Sequence, residues 1–391
     1  MTKLLLLFER IFMTTLAFLL NFQPMKRWMV PLLLLALVAG IGCKKEKMTL
    51  FPADDPRLTW HGRTWEDNTG YRYLIGSASS LKFKFYGKQC RIWMQNAAPG
   101  EDYNYISLVI DGVRQPRTAL RLDSLSPVDV IPASPGLSHT IEMYKETEAI
   151  NGAVIVSKVE ADSLGKSPDV TQKRIEFIGN SITAGMSSDA SGIPCDAGTW
   201  YDQHNAYDAY GPRVARALGM EYMLSAFSGI GIYRNSQGDS PVIRDIYPSA
   251  FLSPNPNSPR WDFSQFTPDI VSICLGTNDF SDGSGPSPRA PFDPLQFIPA
   301  YVDFINTVHE HYPDALIIIT NTPMLDRQKN IILMDCLQKI KAQAETDITG
   351  LKPIQLFSFS NEYHGGCMGH PNVEEQGKMA EEMVLFLSGI K

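Results

Sequence analysis

Beyond Lys47 the chain has no run of Lys or Arg, and its formal net charge is -7, so nothing in it offers the electrostatic footprint that nucleic acid requires. A neutral or weakly charged partner fits better. The six Cys and seven His form no CxxC, no HExxH and no paired-carboxylate ligand spacing, which leaves no metal site to argue from sequence. Internal repeats are absent, and no helix-length apolar periodicity appears between about Leu58 and Val159. Disorder on the scale of the whole chain is excluded by the 44% of hydrophobic residues, which suffice for two ordinary domain cores in 391 residues.

Long apolar runs are confined to the first residues. Met25-Lys-Arg27, the run Trp28 to Val38 and then Ala39-Gly-Ile-Gly-Cys43 have the charged, greasy and small-residue regions of a secretory signal. The stretch before Cys43 resembles a bacterial lipobox, so lipidation at Cys43 is expected, with the membrane reached only through that anchor at the periplasmic or outer surface. An earlier run, Leu4 to Leu20, carries Glu9 and Arg10 and sits near the lower length limit for a membrane span of about 17 residues. Translation is therefore expected to start at Met25, with residues 1–24 upstream of it.

The expected organisation is a leader over 1–43, a linker over 44–57, a β-sandwich over 58–161, a second linker over 162–171 and an α/β domain over 172–391. The sandwich follows from short alternating segments such as Leu81-Lys-Phe-Lys-Phe85, Ile106-Ser-Leu-Val-Ile110 and His139-Thr-Ile-Glu-Met143. Asp111-Gly112 is a hairpin turn signal, and a jelly roll is the natural outcome. Trp60, Trp65, Tyr71 and Trp93 could stack on sugars, but burial in the core is the commoner use of such rings. After the second linker, strands at 174–178, 221–227, 270–275, 315–320 and 354–357 alternate with helices, which predicts a parallel sheet covered on both faces. Ile298, Tyr301, Val302, Ile305 and Val308 form the apolar stripe of one helix, and Asn372 with Glu375 forms the capping box of the last.

Arg174-Ile-Glu-Phe-Ile-Gly-Asn-Ser181 reads as a buried strand that ends at Gly179 and leaves Ser181 on the following turn, where open parallel sheets bind ligands. The same serine could instead merely cap a helix. Three further blocks follow apolar runs: Ser228-Gly-Ile-Gly231, Gly276-Thr-Asn-Asp279 and Gly369-His-Pro371.

In their order these four blocks resemble the SGNH hydrolases. That resemblance implies a flavodoxin-like three-layer α/β/α domain with a five-stranded parallel sheet, Ser181 as nucleophile, His370 as general base, and the oxyanion hole formed by Ser181, Gly229 and Asn278. Family members commonly have Asp before the nucleophile, where Asn180 stands, and an Asp two or three residues before the histidine, where Met368 and Cys367 stand. The expected machinery is thus a Ser181–His370 dyad, with a backbone carbonyl of the 364–369 loop as acceptor for the second ring nitrogen. His364 is the nearest rival base. Cys367 could pair with Cys336, and if Cys43 is lipidated an odd number of cysteines remains.

With Gly62-Arg-Thr64, Val109-Ile-Asp-Gly112, Lys145-Glu-Thr-Glu148 and the preceding sandwich, the chain resembles carbohydrate esterase family 2. The implied activity is removal of acetyl groups from xylan or glucomannan without a cofactor or metal. Trp200, Tyr201, Tyr207, Tyr233 and Trp261 are the candidate substrate residues. Two other readings stay open: a catalytically inactive glycan-binding surface lipoprotein, and an esterase for sialic-acid or cell-wall O-acetyl groups.

Overall fold

The computed structural model describes residues 48–133, 138–166, 172–283 and 289–390. Cys43 and the two leading apolar runs lie outside the described residues, and no described helix is long and apolar enough to cross a membrane.

The sandwich consists of a six-stranded and a seven-stranded antiparallel sheet. Alternation builds its core directly: Leu81, Phe83 and Phe85 point inward while Lys82 and Lys84 point out, and they meet Ile92, Met94, Val154 and Val156 of the facing sheet. Asp111 and Gly112 both take positive φ, 51° and 81°, and Ile110 pairs with Val113 across them. This is the primed turn that matches the twist of a hairpin. The sandwich extends beyond the expected boundary, because Ser163–Gly165 pairs with Ser80–Tyr86 and Leu164 enters the core. Residues 162–165 are therefore not linker.

In the second domain, β1 (Arg174–Gly179), β2 (Glu221–Ala226), β3 (Ile270–Cys274), β4 (Leu316–Thr320) and β5 (Gln355–Phe357) form one parallel sheet in the order β2-β1-β3-β4-β5. Its helices are α1 (Ser181–Ala184), α2 (Tyr210–Leu218), α3 (Ile243–Ile246), α4 (Pro294–His311), α5 (Arg327–Asp347) and α6 (Val373–Ser388). One face of the sheet, with Ile178, Ile273, Ile317 and Ile319, packs on α4 and α5, and the other, with Ile175, Phe177 and Ile318, packs on α2 and α6. That gives three layers. The strand order reverses at β1, so the crevice beyond its carboxyl end is where such sheets bind ligands.

Sandwich and α/β domain share a buried seam. Arg63, fully buried, donates through Nη1 and Nη2 to the Tyr247 carbonyl at 3.2 and 3.0 Å and through Nη1 to the Ser249 carbonyl at 3.3 Å. Its guanidinium lies 4.9 Å from the Trp261 ring centroid. Glu176 of β1 faces the same side, accepting from Ser225 Oγ at 2.5 Å and from the Tyr247 hydroxyl at 3.0 Å. A buried cation so engaged is expensive to remove, since its carbonyl partners lose their donors and a cavity is left. Arg63→Ala is expected to destabilise the chain by about 3–5 kcal/mol, read as a lowered urea midpoint; an unchanged midpoint would show that the seam carries no such load.

Candidate functional site

The position of Ser181 begins with Gly179. A Cβ there would lie 2.1 Å from Thr183 Oγ1 and 3.1 Å from the Cys274 carbonyl, so only glycine lets the chain turn this tightly out of β1. Asn180 caps α1, its Oδ1 accepting from the Ile182 N–H at 3.1 Å. Capping therefore falls to Asn180 and not to Ser181, which occupies the first helical position with its N–H free of helical bonding. The charge lost relative to Asp at position 180 leaves this cap intact, though Asn180 Nδ2 is buried without a partner among the described residues.

Ser181 Oγ lies 2.8 Å from His370 Nε2, with both residues buried. The histidine loop is stitched down from several directions. Asn372 and Glu375 cap α6 reciprocally at 2.9 Å each way, and Glu375 also accepts from the Gly365 N–H at 2.8 Å. The Gly366 N–H donates to the His370 carbonyl at 2.7 Å, the Cys367 N–H to the Ser187 carbonyl at 2.9 Å and the Val373 N–H to the Ser188 carbonyl at 3.0 Å. Gln376 joins α6 to the turn bearing Ser181, donating to the Ile182 carbonyl at 3.1 Å.

A disulfide links Cys367 to Cys195, across 172 residues of chain. The expected pairing with Cys336 is not formed. Cys336 is buried on α5, with Leu333 and Leu337 around it in the core, and it is a free thiol together with Cys90 and Cys274.

The acceptor expected for the second ring nitrogen is also not in place: His370 Nδ1 is buried with no hydrogen-bond partner among the described residues. Burial holds the imidazole below the usual histidine range, partly opposed by the carbonyls of Cys367 and Met368, which face the ring without well-aligned bonds, while His204 pushes it down and Glu148 up. The imidazole is consequently neutral, and able to accept a proton, at neutral pH.

The loop after β2 leaves the sheet beside the end of β1, the Phe227 N–H donating to the Gly179 carbonyl at 3.2 Å. Gly229 has φ 78°, and its N–H donates to no acceptor among the described residues. Asn278 Nδ2 donates to the Ile230 carbonyl at 2.7 Å, which orients the amide and leaves its second hydrogen available. Next to it, buried Asp279 accepts from the N–H groups of Ile232 and Tyr233 at 3.0 and 2.9 Å. Burial pushes its carboxyl up to about 7, opposed by these N–H groups. The Gly-Thr-Asn-Asp block thus does two jobs, aiming an amide with one residue and pinning the neighbouring loop with the next. The three donor groups implied for an oxyanion hole all belong to turns at the carboxyl end of the sheet.

The aromatic candidates separate. Trp200 is 39% exposed and meets Tyr201 and His204 edge-on at 5.6 and 5.0 Å. Tyr201 is buried against Tyr103. The Tyr207 ring centroid lies 4.3 and 3.8 Å from the guanidinium groups of Arg114 and Arg216 and meets Tyr144 edge-on at 5.0 Å, so the ring is engaged in packing. Tyr233 packs on Phe292 and Phe297, and its hydroxyl accepts from the Asp293 N–H at 3.1 Å. Trp261 is buried beneath Arg63. In the sandwich, Trp65 packs on Phe251 of the other domain, and Trp60 packs on the sandwich core.

Other histidines are engaged elsewhere. His61 meets Glu221, His139 meets Asp111, His311 stacks on Phe263, and His364 is exposed beside the Gly369 carbonyl. His204 is the exception. It is fully buried, its Nε2 faces Glu148 Oε1 at 3.1 Å, and Glu148 in turn accepts from the Ser228 N–H at 2.6 Å. No spacing in the sequence marks His204 as a functional residue, and the only signal for Glu148 is its place in the Lys145-Glu-Thr-Glu148 block that ends the strand His139–Lys145. Among the described residues no group of three or more His, Cys, Asp or Glu is arranged to hold a metal ion.

Residues 177–345 match the GDSL-like Lipase/Acylhydrolase family, and residues 60–169 match Carbohydrate esterase 2 N-terminal. The Cellulase/esterase CelE of Acetivibrio thermocellus is 32% identical over 70% of this chain, which spans only 32% of that protein's length. An Acetylxylan esterase / glucomannan deacetylase of Cellvibrio japonicus is 25% identical over 85% of this chain and 88% of its own. Among solved structures, a family two carbohydrate esterase from Clostridium thermocellum in complex with cellohexaose superposes with a TM-score of 0.73 at 26% identity, covering 85% of this chain and 98% of that one.

Because the disulfide ends three residues before His370, it limits how far the ring can stray from Ser181. Cys195→Ser is expected to lower kcat on a soluble acetyl ester about 10- to 100-fold, the penalty for a misplaced catalytic group, with KM little changed. Reductant should mimic the effect in the wild type and add nothing in the variant; an unchanged kcat would show the loop is held without it.

Proposed function

We propose, for a chain that belongs to the GDSL-like acylhydrolases and carries the N-terminal domain of carbohydrate esterase family 2, that it is a carboxylic ester hydrolase removing O-acetyl groups from xylan- or glucomannan-type polysaccharide. The observation that carries the reading is the 2.8 Å contact between Ser181 Oγ and His370 Nε2. In this mechanism His370 takes the hydroxyl proton as Ser181 Oγ attacks the acetyl carbonyl. Negative charge then develops on the carbonyl oxygen, where the N–H groups of Ser181 and Gly229 and the Asn278 amide stabilise it. His370 returns the proton to the sugar oxygen as its bond to the acetyl carbon breaks, releasing the sugar hydroxyl and leaving an acetyl group on Ser181. Water, deprotonated by the same ring, releases acetate.

A dyad without an acid asks the surroundings to tolerate a transient imidazolium. The Cys367 and Met368 carbonyls, both from the 364–369 loop, favour that cation, as does Glu148. Losing the triad acid slows a serine hydrolase while the oxyanion hole and binding still catalyse. The proposal includes export and lipid attachment at Cys43. The Cys195–Cys367 disulfide supports an oxidising compartment.

The test is release of acetate from acetylated xylan and acetylated glucomannan by the purified chain, with Ser181→Ala as control. Activity lost in that variant supports the reading; glycan binding with no acetate released from either polymer would sink it. Since the base works unprotonated and burial lowers its folded pKa, the acid limb of kcat/KM should be centred below the ordinary histidine value of 6.5. An acid limb centred above 6.5 would contradict the assignment of His370.

A further inference from the structure

We infer that Glu148, a residue of the β-sandwich, is a positioning residue for the oxyanion hole, so that the active site is completed by both domains. Its carboxylate holds Ser228 twice: Oε2 accepts from the backbone N–H at 2.6 Å, and Oε1 accepts from the side-chain hydroxyl. Ser228 directly precedes Gly229, whose N–H is the donor the proposed mechanism needs. A glycine at positive φ has neighbouring peptide orientations at little steric cost, so nothing in Gly229 itself keeps that N–H aimed. Fixing both the backbone and the side chain of the preceding residue removes this freedom. Asn278 holds the other side of the same turn through the Ile230 carbonyl at 2.7 Å, and the Ser236 N–H holds the Gly229 carbonyl at 2.8 Å.

The clamp is itself anchored. Lys145 Nζ donates to the carbonyls of Thr147 and Glu148 at 2.9 and 2.7 Å, curling the strand end toward the α/β domain. Glu146, beside it, accepts from the Tyr207 N–H at 2.9 Å and from Arg114 Nη2 at 2.8 Å. His204 Nε2 meets Glu148 Oε1 at 3.1 Å, and Arg117 binds the His204 carbonyl. All of Lys145, Glu146, Glu148 and His204 are buried. Burial raises the Glu148 carboxyl, but the bonds from His204 and Ser228 outweigh it and hold the group below its usual range, which keeps it an acceptor on both oxygens. Bonds from N–H and O–H to a carboxylate are the strong, directional kind that can hold a loop.

The inference rests on the esterase reading, and Glu148→Gln in the full chain tests it. Glutamine keeps the shape but turns an acceptor into a donor facing Ser228. On p-nitrophenyl acetate kcat should fall about 10- to 100-fold, somewhat less than removal of an oxyanion donor outright, while KM stays within about twofold. Methylboronic acid, which forms a tetrahedral anion on a nucleophilic serine, should bind Glu148→Gln more weakly by a similar factor, with affinity for acetate unchanged. Ser228→Ala removes one of the two bonds and should lower kcat several-fold; it decides the matter if Glu148→Gln does not fold. Unchanged kcat and unchanged boronate affinity in the folded variant, or an unchanged kcat in Ser228→Ala, would overturn the inference. If the wild type cleaves no ester, boronate binding still reads the hole: tighter binding by wild type than by Glu148→Gln upholds the clamp while the esterase reading fails, and equal binding overturns it.

Discussion

A single hydrogen bond, between the Ser181 hydroxyl and His370 Nε2, is the constraint on which the site depends. Its partners stand 189 residues apart, and each is placed by the turn it sits on together with ties to distant segments. Ser181 is set by a glycine that admits no Cβ and a cap that fixes a four-residue helix. His370 is set by the capping box of α6, by N–H groups bonded to the Ser187 and Ser188 carbonyls, and by the disulfide to Cys195. Positional error at either end is felt directly in rate, because general-base catalysis needs the proton within hydrogen-bond reach. The rigid sheet beneath supplies the common frame.

The sandwich contributes more than attachment. Two of its charged side chains, Arg63 and Glu148, are wholly buried and reach across to backbone groups of the α/β domain. Burying charge this way is costly unless each partner is satisfied, so the seam tolerates little slippage between domains. Arg63 binds the chain just after α3 through Tyr247 and Ser249, and Glu148 binds it at the turn bearing Gly229. The aromatic residues that invite comparison with sugar platforms are largely consumed by this packing, Trp65 and Trp261 among them. Trp200 keeps an open face beside His204.

Much of the fold was legible because it rests on local periodicity. Leu81, Phe83 and Phe85 announce a half-buried strand, Asp111-Gly112 announces its turn, and Asn372 with Glu375 announces the start of α6; each of these forms as expected. The five parallel strands follow from apolar runs of strand length between amphipathic helices. What escaped is set by tertiary contact. Cys367 was expected beside Cys336, but a disulfide depends on where two loops meet in space, and the partner was Cys195 from a long polar segment. Tyr207 and Trp261 share a composition with sugar-binding rings, and only the structure reveals the arginines covering them. Glu148 and His204 carry no motif spacing, because they come from different domains.

The account centres on Ser181 as a nucleophile that carries the acetyl group between two steps, with His370 moving the proton in both. Rapid quenching during turnover of p-nitrophenyl acetate, followed by mass spectrometry of the digested chain, reads that intermediate most directly. One acetyl group on the peptide containing Ser181, absent in Ser181→Ala and rising then holding steady with time, is the predicted result. Acetate released at full rate with no acetyl on that peptide, or with the label on another residue, would contradict it.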